Sequence, residues 1–265
     1  MLGPIPSRIR PTVAIDVMRS GRNDMRALTV CLPYYENPGM WQRQCESFRT
    51  LPEKWKEFIH LIVVDDGSPK HPAVKPDPPL GIEFQLYRMK VDIPWNQDAC
   101  RNLAAHHAST EWLLLTDIDH LVPHKTMGKV ISVELDPEIA YQFNRVSEPE
   151  MKEYKPHPNS WLMTKALYWK AGGYDERFAA SFGETWGIYG TDGLFRKQVR
   201  GVAKIKPFKM PLVRVPREVT SDASTTTYDR RTHDMDAKRT MVKELIKNSG
   251  SREPATLTFP WERIV

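Results

Sequence analysis

The sequence predicts an α/β fold with a mixed, mostly parallel central sheet flanked by helices. Three short apolar runs have the character of buried strands, and segments with helical character separate them. Strands that alternate with helices are joined by right-handed crossovers, which place the strands parallel in one sheet. A chain of 265 residues with 40% hydrophobic content can bury a core as one domain without disulfides or metals.

The predicted elements follow one another in a regular order. Ala27–Leu32 is the first strand, and the segment Pro33–Asn37 closes it. Phe58–Val64 is apolar and rich in β-branched residues, and Asp65–Ser68 favours a tight loop after it. The third strand is the apolar run from Glu111 to Thr116. Helices are predicted between the strands, over Pro38–Thr50 and Gln97–Ser109.

Two carboxylates separated by one residue, Asp117 and Asp119, follow the third strand. Either strand alternation or a turn can direct both side chains at one cation, and a hard divalent ion would relieve their repulsion. The alternative is that these aspartates only cap the next loop. Ligands of parallel sheets bind outside the carboxyl ends of the strands, so the three polar loops are predicted to meet at a nucleotide site.

Four segments carry a resemblance to a known family: Leu32–Asn37, Val63–Ser68, Asn96–Asn102 and Thr116–Asp119. Their order and spacing resemble the motif series of glycosyltransferases with the GT-A fold, particularly family 2. The resemblance implies a GT-A (Rossmann-like) fold, a nucleotide-diphosphate sugar as donor and Mn²⁺ or Mg²⁺ as cofactor. The cation would neutralise the charge that accumulates on the departing diphosphate.

The same resemblance implies roles at the donor site. Asp119 would ligate the metal, and Asp117 would contact the ribose or the metal's water shell. The other implied donor contacts are Pro33, Tyr35, Glu36, Asp66, Arg101 and Gly173. Two of these residues have plain alternatives, since Tyr35 can be a packed aromatic and Arg101 can form a surface ion pair on its helix.

A later segment, Gly190–Arg196, resembles the part of the family that carries the catalytic base, and Trp161–Phe178 is similar to the galactosyltransferase-like segment before it. Asp192 is therefore the implied base, which would deprotonate an acceptor hydroxyl that attacks with inversion. Asp192 can also cap the following helix. Thr191 replaces the usual acidic neighbour, which leaves Glu184 as a rival base.

The acceptor side and the third metal ligand are assigned to the C-terminal half. Side chains ahead of Asp192 are predicted to line the acceptor site: Trp186, Glu184 and Tyr189. Trp161 and Trp169 are further candidates for stacking on a sugar or an extruded base. His233 follows the turn-prone stretch Thr220–Thr227, and GT-A enzymes often complete their metal shell with such a histidine. The alternative is a surface histidine before a charged helix.

The predicted function is metal-dependent, inverting transfer of a sugar from a nucleotide-diphosphate sugar, with a UDP-sugar favoured, to a hydroxyl acceptor. The acceptor is a glycan or, as in phage-type DNA, a hydroxymethylated base. A catalytically silent sugar-binding GT-A protein stays open because of Thr191. A nucleotidyltransferase also stays open, although such enzymes usually have a Gly-rich phosphate loop that is missing from this sequence.

Domain organisation and location follow from composition. Residues 1–26 are a predicted basic N-terminal arm, 27–215 the catalytic domain, and 216–265 a loop and helix that complete the same domain. The net charge of +5 favours a polyanionic partner or a solvated basic surface. Three cysteines without paired number, no apolar stretch of spanning length and no leader predict a soluble cytoplasmic protein in a reducing compartment.

Overall fold

The computed structural model describes residues 25–93, 96–179, 191–216, 240, 243–244 and 253–265. Within these residues, one mixed sheet organises the fold and helices cover both of its faces. The strands are β1 (Leu28–Tyr34), β2 (Ile59–Asp65), β3 (Glu83–Met89), β4 (Trp112–Leu115), β5 (His120–Leu121), β6 (Ile139–Ser147), β7 (Lys152–Tyr154), β8 (Trp161–Thr164), β9 (Lys204–Arg214) and β10 (Trp261–Arg263). The helices are α1 (Pro38–Arg49), α2 (Glu53–Lys56), α3 (Gln97–His107), α4 (His124–Ser132), α5 (Lys165–Lys170) and α6 (Asp192–Val202).

The strand order is β10-β3-β2-β1-β4-β8-β6-β9-β5, and β7 pairs with β6. The block β3-β2-β1-β4 is parallel, which confirms the predicted α/β class with its parallel centre. Antiparallel pairing continues the sheet from β4 through β8 to β6, and β6 then runs parallel to β9. At the opposite edge, β10 is antiparallel to β3.

The first strand is longer than the sequence predicts, because β1 continues through Pro33 to Tyr34. On one side, Pro33 is aligned with Val64 of β2. On the other side, the ladder with β4 ends at Cys31 and Leu115. Proline lacks an N–H group and is normally excluded from inner strands. Here it is tolerated because β4 has already ended at that level.

The core lies in two layers, one on each face of the sheet. Along β1, Leu28, Val30 and Leu32 belong to one layer, and Cys31 belongs to the other. Helices α1 and α4 cover the first layer, whereas α3, α5 and α6 cover the second. Successive side chains of a strand point to opposite faces, so burial of both faces explains the continuous apolar runs of the central strands.

Local sequence signals fix the starts of two helices. The side chain of Asn37 accepts from Met40 N at 3.1 Å, and Pro38 is the first residue of α1. The side chain of Thr164 accepts from Leu167 N at 3.1 Å at the start of α5. Such caps satisfy backbone donors that a helix cannot use internally.

The C-terminal segment 253–265 is held at two places. Glu176 is fully buried, and its carboxylate accepts hydrogen bonds from Leu257 N, Thr258 N and Thr258 Oγ1. Farther on, β10 extends the sheet beside β3. The predicted helix of residues 216–265 falls largely outside the described residues, as does the N-terminal arm up to residue 24.

Lysines and prolines mark strand β9 near the sheet edge. β5 pairs only with the last two residues of β9, Val213 and Arg214. The earlier part of β9 carries the exposed residues Lys204, Lys206 and Lys209 and also Pro207. Charged side chains and prolines discourage edge-to-edge pairing between molecules. The exposed lysines of β9 therefore have a structural explanation that requires no polyanionic partner. Of the helices described, none combines the length and apolar character required to span a bilayer.

Candidate active site

The loops after β1, β2 and β4 lie at one rim of the sheet because these strands are parallel. Asp66 N donates to Tyr34 O at 2.8 Å, which ties the second loop to the end of β1. After β4, His120 N donates to Asp117 O at 3.0 Å and closes a turn that contains Asp119. The loops after β1 and β2 are therefore in contact, and the loop after β4 lies at the same rim, as the sequence predicts for parallel strands.

The two consecutive aspartates after β2 have different surroundings. Asp65 is buried, and its two oxygens accept from Ser68 N and Ala73 N, both at 2.9 Å. Asp66 Oδ2 accepts from Asn96 N at 3.1 Å, whereas Oδ1 has no hydrogen-bond partner among the described residues. Burial raises the pKa of Asp66 well above its usual value. Asp66 is thus the carboxylate with an oxygen available to a ligand.

The three candidate residues after Leu32 are placed at the same rim. Pro33 is buried at the end of β1, and the Tyr35 hydroxyl donates to Asp92 Oδ1 at 3.0 Å. Glu36 has a φ of +47°, and its Oε1 accepts from Lys70 N and His71 N at 2.6 and 2.9 Å. Glu36 therefore fastens this loop to the loop after β2, and its contact with a nucleoside stays a prediction.

Arg101 of α3 forms an ion pair with Asp117, in which Nη2 donates to Oδ1. The guanidinium is completely buried and lies 5.2 Å from the centre of the Tyr174 ring. Burial alone would lower the pKa of Arg101, but the charge of Asp117 raises it. The alternative of a surface ion pair on the helix is wrong, since the arginine is directed into the core beneath the rim.

Asp117 and Asp119 share a small cluster with two histidines, His120 and His157. His157 Nε2 lies 3.1 Å from Asp117 Oδ2, and His120 Nδ1 lies 2.7 Å from Asp119 Oδ1. Single ligand atoms of Asp117, His120 and His157 all lie within 4.8 Å of one another. Carboxylate oxygens and neutral imidazoles are donors for divalent metal ions, so these residues fit the metal that the sequence pattern implies.

The ionisation of this cluster also suits a cation. Burial alone would raise the pKa of Asp119, but His120, His157 and Arg214 hold it below its usual value. Burial lowers the pKa of His157 to about 4, against the opposing charge of Asp117. At neutral pH the site therefore offers an ionised carboxylate at Asp119 and a neutral imidazole at His157. His157 is not predicted from the sequence, because it lies in the loop between β7 and β8 and belongs to none of the motifs.

Asp192 is the first residue of α6, and Thr191 occupies the capping position before it. Burial raises the pKa values of Asp98 and Tyr174, and the charge of Asp192 adds a smaller increase to both. Asp192 is therefore close enough to act electrostatically on two groups that also interact with Arg101. Four other candidates lie outside the described residues: Glu184, Trp186, Tyr189 and His233.

Two candidates of the C-terminal half have packing roles. A side chain at Gly173, whose φ is +69°, would approach Asn102 Oδ1 to 2.8 Å. The predicted contact of Gly173 with the nucleotide-sugar donor stays a prediction. Trp161 is completely buried and packs edge-on against Phe195, so it cannot stack on an acceptor as the sequence suggests. Trp169 is partly buried against the same core layer.

Comparison with known protein families identifies the chain. The sequence pattern described as Glycosyl transferase family 2 matches residues 29–201, which include β1, the acidic loops and most of α6. The chain belongs to glycosyl transferase family 2. No curated protein matches the chain. The family's pattern covers Asp66, Asp117, Asp119 and Asp192, so the described rim lies within the family's region.

Solved structures agree on the GT-A architecture of the family. A fragment of TarS from S. aureus, residues 1–349, has a TM-score of 0.51 and 15% identity, covering 72% of this chain and 61% of its own. The mannosyltransferase PcManGT from Pyrobaculum calidifontis, in complex with GDP-Man and Mn²⁺, has a TM-score of 0.52 and 15% identity, covering 87% and 66%. This chain thus spans less than two thirds of either solved chain. At such identities, the likeness concerns the fold.

Proposed function

We propose that this protein transfers a sugar from a nucleoside-diphosphate sugar to a hydroxyl acceptor, with a divalent cation and with inversion at the anomeric carbon. The observation that carries the proposal is a set of buried polar atoms at the rim without partners among the described residues. These atoms are Asp66 Oδ1, both amide atoms of Asn96, and Nε and Nη1 of Arg101.

Buried polar groups are nearly always hydrogen-bonded, so such a cluster calls for a ligand. A ligand that offers N–H groups to Asp66 and oxygen acceptors to Arg101 would satisfy these atoms. A nucleoside diphosphate offers both, since its base carries N–H groups and its ribose and phosphates carry oxygens. The rim also matches the place where parallel sheets bind nucleotides.

Asp117 and Asp119 would hold the cation, with imidazole nitrogens in reach. When bound, Mn²⁺ or Mg²⁺ would neutralise the charge that develops on the diphosphate. The presence of GDP-Man and Mn²⁺ together in PcManGT supports the same combination of ligand and ion here. Arg101 would supply further positive charge from the opposite side of Asp117.

Asp192 would act as the base. The acceptor oxygen attacks the anomeric carbon while its proton passes to a carboxylate oxygen of Asp192. The bond between that carbon and the diphosphate oxygen breaks, and its electron pair leaves with the phosphate. The position of Asp192 at the start of α6 supports this role, because the helix dipole keeps a carboxylate ionised there.

The experiment measures donor binding and transfer separately. Purified protein is screened for thermal stabilisation by UDP-, GDP- and dTDP-sugars with and without Mn²⁺. Mass spectrometry then follows glycans, proteins and DNA with hydroxymethylated bases as acceptors. We expect a UDP-sugar to stabilise the protein in a metal-dependent manner, and one acceptor class to gain the mass of the sugar.

Two variants assign the roles. Asp119→Ala should lose metal-dependent donor binding, whereas Asp192→Asn should keep donor binding and lose transfer by roughly 10²–10⁴-fold. Asp136→Asn, at an exposed position away from the rim, serves as the control. Full turnover by Asp192→Asn would exclude it as the base and leave Glu184 as the rival. If no sugar nucleotide binds or is consumed, a catalytically silent protein is the better description.

A further inference from the structure

The two histidines beside Asp117 and Asp119 have different hydrogen-bond environments. Their rings lie side by side, with centres 4.7 Å apart and planes tilted by 31°. Both place a ring nitrogen within 4.8 Å of an Asp117 carboxylate oxygen, close enough to be considered as a metal ligand. A neutral imidazole has one nitrogen with a lone pair and one with a proton, so the partners of each nitrogen decide what it can do.

Both nitrogens of His120 are already engaged. Nε2 lies 3.2 Å from Arg145 Nη1, and Nδ1 lies 2.7 Å from Asp119 Oδ1. A guanidinium can only donate, so Nε2 accepts from Arg145 with the single lone pair of the ring. Nδ1 must then carry the proton and donate it to Asp119. In this arrangement His120 orients the Asp119 carboxylate and has no lone pair left for a cation.

The second oxygen of Asp119 remains available. No hydrogen bond to Asp119 Oδ2 is found in the part of the chain that the structure describes, and the side chain is about one third exposed at 34%. An oriented carboxylate with one oxygen held by an N–H group and the other directed outward is a common arrangement for metal ligands. Arg145, His120 and Asp119 thus form a chain of contacts that fixes one carboxylate oxygen of Asp119 and leaves the other for a ligand.

His157 is arranged differently. Its Nε2 lies 3.1 Å from Asp117 Oδ2, so without an ion this nitrogen carries the proton and donates it to the carboxylate. Its Nδ1 lies 3.4 Å from Ser160 Oγ, a hydroxyl that can donate or accept, so this ring can exchange tautomers whereas the ring of His120 cannot. Two neighbouring ligands of an octahedral ion with bonds of about 2.1–2.2 Å are separated by about 3.0–3.1 Å. The spacing of this nitrogen and oxygen therefore already matches two ligands of one ion. Ser160 Oγ can accept from Nδ1–H once Nε2 binds the ion, as metal-bound histidines require.

We propose that His157 is a direct ligand of the divalent cation at this site, together with Asp117 and Asp119, and that His120 is a positioning residue for Asp119. This inference rests on the proposed function only in that the cation serves the sugar donor. A nitrogen ligand also predicts a preference for transition-metal ions such as Mn²⁺ or Co²⁺ over Mg²⁺, because Mg²⁺ favours oxygen.

The test uses the full chain loaded with Mn²⁺ alone. Pulsed EPR detects a ¹⁴N nucleus bound to Mn²⁺, and calorimetry gives the affinity. We expect nitrogen modulation in the native protein, its loss in His157→Gln, and a Mn²⁺ affinity lower by roughly 10–100-fold in that variant. The affinity for Mg²⁺ should fall less.

Two variants at the neighbouring histidine form the matched comparison. His120→Asn keeps an amide N–H close to the position of Nδ1, so nitrogen modulation and Mn²⁺ affinity should both persist. His120→Gln removes that donor, so the affinity should fall while the nitrogen modulation remains. Circular dichroism and thermal melting verify that each variant is folded. Labelling the native protein with ¹⁵N-histidine, which changes the modulation only if a histidine is bound, tests the same ligand without substitution.

Three results would overturn the inference: no nitrogen modulation in the native protein, modulation that persists in His157→Gln, or modulation lost in His120→Asn. Persistence in His157→Gln combined with loss in His233→Gln would assign the ligand to His233 instead. The measurement needs no sugar donor. Nitrogen-bound Mn²⁺ in a protein without transferase activity would therefore support the ligand assignment and count against the proposed function alone.

Discussion

Arg101 and Asp117 form a direct ion pair between the first turns of α3 and the loop after β4. Only one of the three guanidinium nitrogens is engaged, because Nε and Nη1 have no partner among the described residues. An unpaired buried donor costs roughly 1–3 kcal/mol. The pair thus combines a structural contact with two buried donor atoms that no described residue satisfies.

Replacing Arg101 with Lys tests that capacity. Lysine keeps the charge beside Asp117 but lacks the planar fork of donors. We expect the affinity for a nucleoside diphosphate to fall about tenfold or more, equivalent to about 1.4 kcal/mol, as measured by calorimetry with UDP and GDP. The control is Arg177→Lys, which disturbs a similar pair with Asp175 outside the rim. If Arg177→Lys lowers the affinity for UDP and GDP by the same factor, Arg101 has no special role in nucleotide binding.

Glu176 is predicted to be the main anchor of the C-terminal segment. Its Oε1 accepts from Asn102 Nδ2 and Leu257 N, and its Oε2 accepts twice from Thr258. In Glu176→Gln, an amide N–H must face one set of these donors, which leaves buried groups unpaired. We expect a loss of about 2–4 kcal/mol in urea unfolding. Hydrogen exchange should also accelerate in β10.

An exposed glutamate provides the comparison for Glu176. Glu134→Gln, on the loop after α4, should leave both the unfolding free energy and the exchange of β10 unchanged within about 0.5 kcal/mol. If Glu176→Gln behaves like Glu134→Gln, the segment 253–265 is held by β10 pairing and apolar contacts, and the carboxylate is dispensable.

Periodicity and motif order were sufficient to predict the parallel centre of the sheet. Apolar runs of strand length, separated by helical stretches, place β1, β2 and β4 side by side with little ambiguity. The same rule brings Asp66 and Asp117 to one rim, since the ends of parallel strands coincide. The extension of β1 through Pro33 was not predictable, because it depends on where the neighbouring strand β4 ends.

Residues that distant segments bring to the rim have no local signal in the sequence. His157 reaches the rim because the hairpin of β6 and β7 returns the chain towards β4, a long-range event with no local signal. Burial of Arg101 had the same cause, since Tyr174 and Asp117 cover it from other elements. Such contacts arise from tertiary packing, which helix propensity and charge spacing do not encode.

Asp98 is expected to make stability depend on pH. It is 2% exposed, and burial raises its pKa from 3.8 to about 7 despite the opposing charge of Arg101. The folded state therefore holds this proton more tightly than the unfolded state. The resulting stability is fully present below about pH 4 and is lost as pH rises through about 7, at a cost of as much as about 4 kcal/mol.

Asp98→Asn removes this titration. Relative to the native protein, the variant should be similar at pH 4 and progressively more stable between pH 4 and 8, as measured by urea unfolding across that range. Asp136→Asn, at an exposed site, should show no such trend. A constant difference between Asp98→Asn and the native protein at all pH values would mean that Asp98 is ionised in the fold.

Two glycines offer a matched test of backbone strain and packing. At Gly173, φ is +69° and a Cβ would lie 2.8 Å from Asn102 Oδ1, so Gly173→Ala combines an unfavourable backbone with a clash. At Gly201, in the last turn of α6, no described atom apart from the adjoining backbone of the helix lies within 4 Å of such a Cβ. Gly173→Ala should therefore cost about 1–3 kcal/mol, whereas Gly201→Ala should add about 0.5–1 kcal/mol, since alanine favours helix. Thermal unfolding of both variants measures these changes in stability.

The same two variants test whether the packing at Gly173 positions Arg101, because Asn102, which a side chain at Gly173 would contact, is the next residue after Arg101 in α3. If Gly173→Ala alone weakens nucleotide binding, this packing positions the arginine. If the nucleotide affinity is unchanged, the role of Gly173 is limited to stability.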